Sequence, residues 1–495
     1  MEILLNRIKR YIPAKLFIAL QPVYHFLLSA LAVAWYRWPA NKLIVIGITG
    51  TTGKTTSLYL VAKMLTANGY KVGYTSTAMF SDGNKEWLND KKMTMAGRFF
   101  IQKMLARMVK NNCQYAIIET TSEGISQFRH RFINYDILIF TGLYPEHIEA
   151  HGSFAKYKEA KGKLFAYLQK CQTKYADDKK RIVKVDSGFK KIEANRVKKI
   201  IIANGDDDDV DYFLNFWAEE KWEYTNMNEL KANITNDKIR IINYGGVETR
   251  HGMSLLGTGV EFSVDNKIKI RLKLLGEFNA VNAMNAVCLG LAQNLSLAKI
   301  AKALEKVKGI PGRMEIIKTP SFISPLSRGR NSGSGGGERG GLTVIVDYAF
   351  EPGAVSKLYE TISSLPHKGV IHLLGSTGGG RDVARRGQLG KIAGQKADLV
   401  IVTNEDPYDE DPQTIIDQVA DGAKSAGKIL EKNLFKISDR RQAIQQALAS
   451  AGANDLVLIT GKGSEQAICL AGGRKIKWDD REVIREELKK LLANS

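Results

Sequence analysis

Cysteine is scarce and scattered. The four in the chain, Cys113, Cys171, Cys288 and Cys469, form no C-x-x-C pair, which excludes a zinc ribbon and a disulfide framework and points to a reducing compartment. The RNP and zinc-finger patterns of nucleic-acid readers are missing, and so is the N-K-x-D signature of a guanine-nucleotide switch. No A-x-A-like cleavage site follows the apolar N-terminal stretch, which argues against a signal peptide. Acidic residues are nearly absent from residues 1–41, where Glu2 stands alone.

What is present describes a globular chain of more than one domain. At 495 residues, 44% hydrophobic and 25% charged, two or three cores are expected. The net charge of +20 suits anionic partners such as nucleotides or an anionic membrane surface. With no recognition motif for DNA or RNA, we expect no nucleic-acid partner.

Phe17 to Tyr36 is a 20-residue stretch without a charged side chain, flanked by Arg7, Lys9, Arg10 and Lys15 before it and Arg37 and Lys42 after it. The length would span a bilayer. Gln21, Pro22, His25 and Ser29 argue against a span, and so does orientation, because the heavier basic flank would leave the rest of the chain outside, away from ATP. Residues 1–41 are therefore expected to form an apolar helical segment that lies on the inner membrane surface or caps the next domain.

"GITGTTGKTT", residues 47–56, raises the question of catalysis. The standard phosphate loop, G-x-x-x-x-G-K-[ST], asks for glycine at position 48, and this chain has Ile48 there. Its context is nonetheless that of a phosphate loop. "KLIVIGIT" reads as a buried strand, "TTSLYLVAKMLTANGY" as a helix with Leu58, Val61, Met64 and Leu65 on one face, and "KVGYTST" as the next strand. Small residues let backbone N–H groups and a helix N-terminus approach phosphate, Lys54 adds a mobile charge, and Thr55 offers an oxygen to Mg²⁺.

Further on, "YAIIET" and "YDILIFTGL" read as buried strands, and residues 42–309 form a central α/β domain. From 310 to 495 the strands "LTVIVDYA", "GVIHLLG", "ADLVIVTNED" and "NDLVLITGKG" alternate with helical patterns, which predicts a doubly wound, Rossmann-like parallel sheet. Its ligands should lie at the carboxyl ends of the strands. "SPLSRGRNSGSGGGERGG", 324–341, is a Gly/Ser/Arg-rich insertion that cannot bury apolar surface and reads as a flexible loop.

Seven segments in order, "GITGTTGKTT", "ETTSEG", "FTGLYPEHIEAHGSFAKYKEAKGKLF", "GEFNAVNAMNAV", "GIPGRMEII", "VDYAFEP" and "GGGRDVARRG", resemble the Mur ligases over residues 42–495. Among these the chain is most similar to the MurE-type, which adds the third amino acid to UDP-N-acetylmuramoyl-dipeptide. The resemblance implies a cytoplasmic, ATP- and Mg²⁺-dependent ligase that activates a carboxylate as an acyl phosphate and lets an amine attack it; the family's phosphate loop departs from the standard pattern in the same way. It implies that Gly50, Thr51, Thr52, Gly53, Lys54, Thr55 and Thr56 hold phosphate, and that Thr55 and Glu119 serve one Mg²⁺. His147 and a carbamylated Lys161 would serve a second, with Lys54, His147 and Lys161 the catalytic set. Asn279, Asn282, Arg313, Asp347 and Lys462 would hold the nucleotide. Thr121, Ser122, Arg129, Asp406, Tyr408 and Glu465 would meet the nucleotide-sugar peptide and the amino acid.

By themselves, Lys156, Lys158, Lys161 and Lys163 read as a solvated helix face, and Asn279 as a helix cap. The chain also departs from the family pattern. Glu123, Phe350 and Ser464 stand where the family has histidines, Gly142 where it has asparagine, and about 41 residues stand where its uridine-diphosphate domain would be. A lipid-linked or other acceptor without UDP is thus a second reading, and a nucleotide-binding protein without ligase activity a third. Where relatives that take meso-diaminopimelate carry "DNPR", this chain has "EDPY". Tyr408 cannot grip a carboxylate as arginine does. Asp406, Asp409, Glu410 and Asp411 make the neighbourhood acidic, so lysine, ornithine or a similar diamino acid is expected, unless Arg385 or Arg386 supplies the cation.

Overall fold

β1 (Ile44–Thr49) is buried at all six positions, as an apolar β-branched run flanked by parallel strands should be. Its neighbours are β5 (Tyr115–Glu119) and β6 (Ile137–Phe140). The computed structural model describes residues 14–144, 152–183, 194–226, 239–250, 259–317, 319, 341–380 and 383–493. His147 and the 324–340 part of the Gly/Ser-rich stretch lie outside them.

Around β1 the first sheet has 11 strands in the order β11-β10-β9-β8-β7-β6-β1-β5-β2-β3-β4. The remaining strands are β2 (Val72–Thr75), β3 (Met79–Ser81), β4 (Glu86–Leu88), β7 (Ile200–Asn204), β8 (Glu220–Asn226), β9 (Ile239–Arg250), β10 (Gly259–Val264) and β11 (Ile268–Leu272). Strands from β2 to β9 through β1 run parallel, and the two ends are antiparallel. One face is covered by α2 (Lys54–Ala67) and α5 (Phe278–Ala292), the other by α3 (Arg98–Lys110) and α4 (Phe154–Leu168). The parallel core matches the sequence expectation. The antiparallel extension β9–β11 was not anticipated, although Asp265 and Asn266, both at positive φ, open the three-residue turn 265–267 that joins Val264 to Ile268 as a hairpin.

The second sheet has six strands ordered β12-β13-β17-β14-β15-β16. They are β12 (Glu315–Ile317), β13 (Thr343–Val346), β14 (Val370–Leu374), β15 (Leu399–Thr403), β16 (Leu434–Ile437) and β17 (Leu456–Ile459). All pairs are parallel except the β12 edge, which is the doubly wound arrangement read from the four apolar runs. The carboxyl ends of β15 and β17 carry Glu405, Asp406 and Lys462 toward the first sheet.

α1 (Ala14–Trp35) packs beside α3. Ser29, Ala32 and Val33 are buried, Ser29 Oγ donates to the Phe128 carbonyl at 3.0 Å, and the Phe26 and Phe132 rings meet at 5.3 Å. Among the described residues no helix is long and apolar enough to cross a membrane.

Candidate active site

The phosphate loop leaves β1 at Thr49 and enters α2 at Lys54. Ile48, which breaks the standard motif, belongs to the strand, pairing with Glu119 of β5 and fully buried. The turn therefore begins at Gly50. A Cβ there would lie 2.0 Å from Thr141 Oγ1, and Gly53, at φ +77°, has Asn282 Oδ1 2.3 Å from where its Cβ would be. Only glycine fits either position.

The loop is held from the β6 side, with the Thr51 N–H donating to the Gly142 carbonyl at 2.8 Å and Thr141 Oγ1 to the Thr52 carbonyl at 2.7 Å. Lys54 folds back over the turn, its Nζ donating to the carbonyls of Gly50 (3.1 Å) and Thr51 (2.6 Å). Lys161 points to the same place. Its Nζ donates to Gly50 O at 2.8 Å and lies 4.5 Å from the centre of the Tyr157 ring, with the residue 1% exposed. This corrects the solvated-face reading for Lys161, while Lys156 and Lys163 are exposed as that reading expects. Lys158 pairs with Asp209, while Lys161 is a buried ammonium against the phosphate loop.

Glu119, at the carboxyl end of β5, accepts from Thr55 Oγ1 at 3.1 and 3.0 Å and from the Thr77 N–H and Thr77 Oγ1 at 2.8 Å each. Thr77 was missed, though it lies two residues past the carboxyl end of β2, where a ligand would lie. A hydroxyl and a carboxylate are hard oxygen donors that suit Mg²⁺, which keeps waters and takes phosphate as further ligands. Among the described residues no three His, Cys, Asp or Glu side chains are grouped to hold a metal without such help.

Arg313 arrives from the segment joining the two sheets. Its Nη2 donates to Thr55 Oγ1 at 3.4 Å and its guanidinium lies 4.4 Å from the Tyr348 ring centre. Asp347, at the end of β13, anchors that segment by accepting from the N–H groups of Met314 and Ala349, both at 2.6 Å. Burial raises its pKa, against the pull of Arg313. Asn279 is not a helix cap, since Glu277 holds that position. It donates to Leu275 O at 2.7 Å and receives Asn282 Nδ2 at 3.0 Å, while Asn282 Oδ1 accepts from Ser57. The two asparagines tie α5 to α2 behind the loop. Thr52 is exposed and Thr56 is buried at the start of α2.

Beyond Glu119 the chain makes the short helix Ser122–Ser126, capped by Thr121, whose side chain accepts from the Gly124 N–H. Ser122 is buried beside it, Glu123 is exposed, and Arg129 donates to the Met95 carbonyl and to Gln127.

A second cluster lies across from these residues. Asp406, Glu465 and the Ala467 carbonyl surround two ammonium groups. Lys462 Nζ donates to Asp406 Oδ1 at 2.9 Å, Glu465 Oε2 at 2.7 Å and Ala467 O at 2.6 Å. Lys92, from the loop between β4 and α3, reaches Asp406 Oδ2 at 2.5 Å, Glu465 Oε2 at 2.8 Å and Ala467 O at 2.8 Å, its side chain 4% exposed. Burial draws its pKa down, but Glu465 and Asp406 more than reverse this and hold the ammonium above the ordinary lysine value. Asp406, opposed by burial, is held below the usual carboxylate value by Lys462 and Lys92. Lys462, expected at the nucleotide, is thus paired within this cluster. Next to it Glu405 is buried with Oε2 unpartnered, and burial pushes its pKa up to about 7.

The acidic run itself divides. Asp411 caps the helix Pro412–Ser425, Asp409 accepts from the Gly472 N–H, and Glu410 pairs with Arg386 at 2.8 Å. Only Asp406 and its neighbour Glu405 face the cluster, which narrows the expected acidic pocket. Tyr408 sits at φ +50° beside Gly379. Arg385 is engaged by Glu351 and Thr377, and lies 5.4 Å from the Phe350 ring centre. Both arginines therefore have carboxylate partners already.

Comparison with known proteins gives a consistent picture. Residues 48–290 match the Mur ligase middle domain and 336–463 the Mur ligase glutamate ligase domain. The UDP-N-acetylmuramyl-tripeptide synthetase of Roseiflexus sp. (strain RS-1) is 33% identical over 466 residues, covering 94% of this chain and 82% of that protein. The UDP-N-acetylmuramoyl-L-alanyl-D-glutamate–2,6-diaminopimelate ligase of Bacillus cereus is 28% identical over 470 residues, 94% and 82% of the two chains. Among solved structures, a UDP-N-acetylmuramoyl-L-alanyl-D-glutamate–2,6-diaminopimelate ligase superposes with a TM-score of 0.53 at 23% identity, covering 91% and 79%. Mycobacterium tuberculosis folylpolyglutamate synthase superposes at 0.57 and 16% identity, covering 97% and 99%. These two superpositions speak for the fold.

Proposed function

The chain belongs to the Mur ligase family, and from that premise we propose that it is an ATP-dependent ligase joining an amino acid to a UDP-N-acetylmuramoyl-peptide in peptidoglycan precursor synthesis. The observation that carries this reading is the meeting of Lys54, Lys161, Thr55, Glu119 and Arg313 at one glycine turn and one helix N-terminus. Lys54, Arg313 and the helix N-terminus supply positive potential around one carboxylate there, with Lys161 reaching the same turn, which suits a nucleotide triphosphate with its metal.

In this reading the N–H groups of the 50–56 loop cradle phosphate, and Lys54 exchanges the Gly50 and Thr51 carbonyls for phosphate oxygens. Thr55 and Glu119 would hold one Mg²⁺, and His147 with a carbamylated Lys161 a second; bound there, the ions would neutralise the phosphoryl charge. Arg313 adds a fixed cation to the same oxygens, while Asn279, Asn282 and Asp347 brace the nucleotide side. Thr121, Ser122 and Arg129 position the acceptor peptide. Its carboxylate attacks the terminal phosphorus and ADP leaves. The incoming ammonium then gives one proton to Glu405, whose pKa near neutrality suits a base; the C–N bond forms, the bond from carbon to the phosphate oxygen breaks, and the departing phosphate takes the second proton from nitrogen. Asp406 and Glu465 take the far amine of a diamino acid beside Tyr408 in exchange for Lys92, which makes lysine or ornithine a better fit than meso-diaminopimelate.

The reaction belongs in the cytoplasm, where ATP is available, with residues 1–41 at the inner membrane surface. Phosphate release from ATP, followed over a matrix of acceptors and amino acids, tests the proposal. Release that requires both a UDP-N-acetylmuramoyl-peptide and a diamino acid supports it. Release only with a lipid-linked or other acceptor would favour the second reading, to which the apolar α1 lends itself, and no release with any pair would leave a nucleotide-binding protein.

A further inference from the structure

Among the described residues, the exposed large apolar side chains gather on one helix and the turn after it. Of the large apolar side chains exposed among the described residues, eight lie between Leu20 and Trp38. Val23, Leu27 and Leu31, four residues apart, lie along one face with Trp35 beyond, and Leu27, Leu31 and Trp35 are 60%, 56% and 73% exposed. The opposite side of α1 is occupied, by Ser29, Ala32 and Val33 against the body of the protein. α1 is thus fixed in place with its apolar row turned outward, and nothing in the catalytic reading uses that row.

We propose that α1 docks flat on a bilayer with anionic headgroups. Charge selects this occupant. In the first 42 residues Arg7, Lys9, Arg10, Lys15, Arg37 and Lys42 stand against Glu2 alone, and no further acidic residue occurs before Asp82. A second copy seated on the same row would bring two such basic sets together, which like-charge repulsion opposes. Tyr24, Trp35 and Trp38 are rings suited to the headgroup level, and basic residues at both ends suit anionic phosphate. The docking is interfacial, since no described helix is long and apolar enough to cross and Gln21, Pro22 and His25 interrupt the stretch. It deepens the placement at the inner membrane surface and holds whether or not the ligase reading does.

The test is sedimentation of the full chain with vesicles of phosphatidylcholine alone or mixed with phosphatidylglycerol. The protein should bind the mixed vesicles about tenfold more tightly than the neutral ones, and lose binding as salt is raised. The variant Leu27→Glu/Leu31→Glu/Trp35→Glu should remain in the supernatant with an unchanged melting temperature and unchanged binding of a fluorescent ATP analogue. Arg37→Glu/Lys42→Glu should weaken binding to the mixed vesicles while leaving the melting temperature alone. Wild-type protein that ignores the mixed vesicles, a triple-Glu variant that still sediments, or a dimer in the ultracentrifuge that the triple variant dissolves would each overturn the proposal. Because ATP binding is read on the same samples, failure here is separable from failure of the ligase reading.

Discussion

Replacing Lys92 with methionine keeps the length of the side chain and removes one of two cations from a cluster with two carboxylates. Lys92 is the only contribution of the first sheet's loops to the Asp406–Glu465–Lys462 cluster among the bonds described, and it makes three contacts between 2.5 and 2.8 Å. Breaking a buried ion pair from one side costs about 3–5 kcal/mol, because the other charge stays buried without compensation. Since the pair bridges the two α/β units, that cost falls on their association more than on either core. At about 1.4 kcal/mol per tenfold, closure of the second unit onto the first should weaken roughly a hundredfold or more. Fluorescence energy transfer between a label near Lys110 and one near Lys428 would report it as a shift to the open form. Free lysine should reverse the shift, because its terminal ammonium can take the vacated place; alanine should not. An unchanged transfer efficiency in Lys92→Met, or equal effects of lysine and alanine, would show that Lys92 does not hold the two units together.

Lys54→Ala should reduce ligation by at least about a hundredfold, as loss of a charge aimed at a developing oxyanion does, with an unaltered circular dichroism spectrum; near wild-type turnover would contradict the assignment. Lys161 is expected to carry a carbamate in the active enzyme, so bicarbonate should raise the intact mass by one carboxylate. Lys161→Ala should be inactive and regain activity with short carboxylic acids but not with bicarbonate. Glu405 has a folded pKa raised by burial to about 7, against an ordinary 4.5. A raised carboxyl costs folding nothing below its unfolded pKa, and the full penalty above its folded one. Glu405→Gln should therefore stabilise the protein relative to wild type at pH 8, by on the order of 3 kcal/mol, and hardly at pH 4.5, with the difference emerging between them; melting curves across that range give the comparison. The kcat/KM for lysine or ornithine should exceed that for meso-diaminopimelate, and the reverse order would show that Arg385 or Arg386 can leave Glu351 or Glu410 to bind a carboxylate.

The parts read correctly from sequence were those with a local cause. A buried β-branched run, a glycine turn and Lys-Thr at a helix start specify one geometry within ten residues, so β1, the loop and α2 could be placed before any tertiary contact was known. Family motifs added Lys161, whose own surroundings in the chain suggest a solvated face; it took the packing of α4 under Gly50 to make it a buried ammonium. Lys92 carries no local signal at all, since its partner Asp406 is 314 positions away. The run Asp409–Asp411 misled for the opposite reason. Adjacent acids looked like one pocket, but a cap, a backbone contact and an arginine pair send the three side chains to different tasks. Lys462 likewise shows that a motif fixes where a residue lies without fixing which charge it faces.

An acyl phosphate formed at the turn from Gly50 to Thr56 would leave its mark in the fate of oxygen in the acceptor. With UDP-N-acetylmuramoyl-dipeptide labelled with heavy oxygen in its reacting carboxylate, and with ATP and lysine, one labelled oxygen should be found in the released phosphate for every amide formed. Phosphate that carries no label, alongside an amide product, would contradict it.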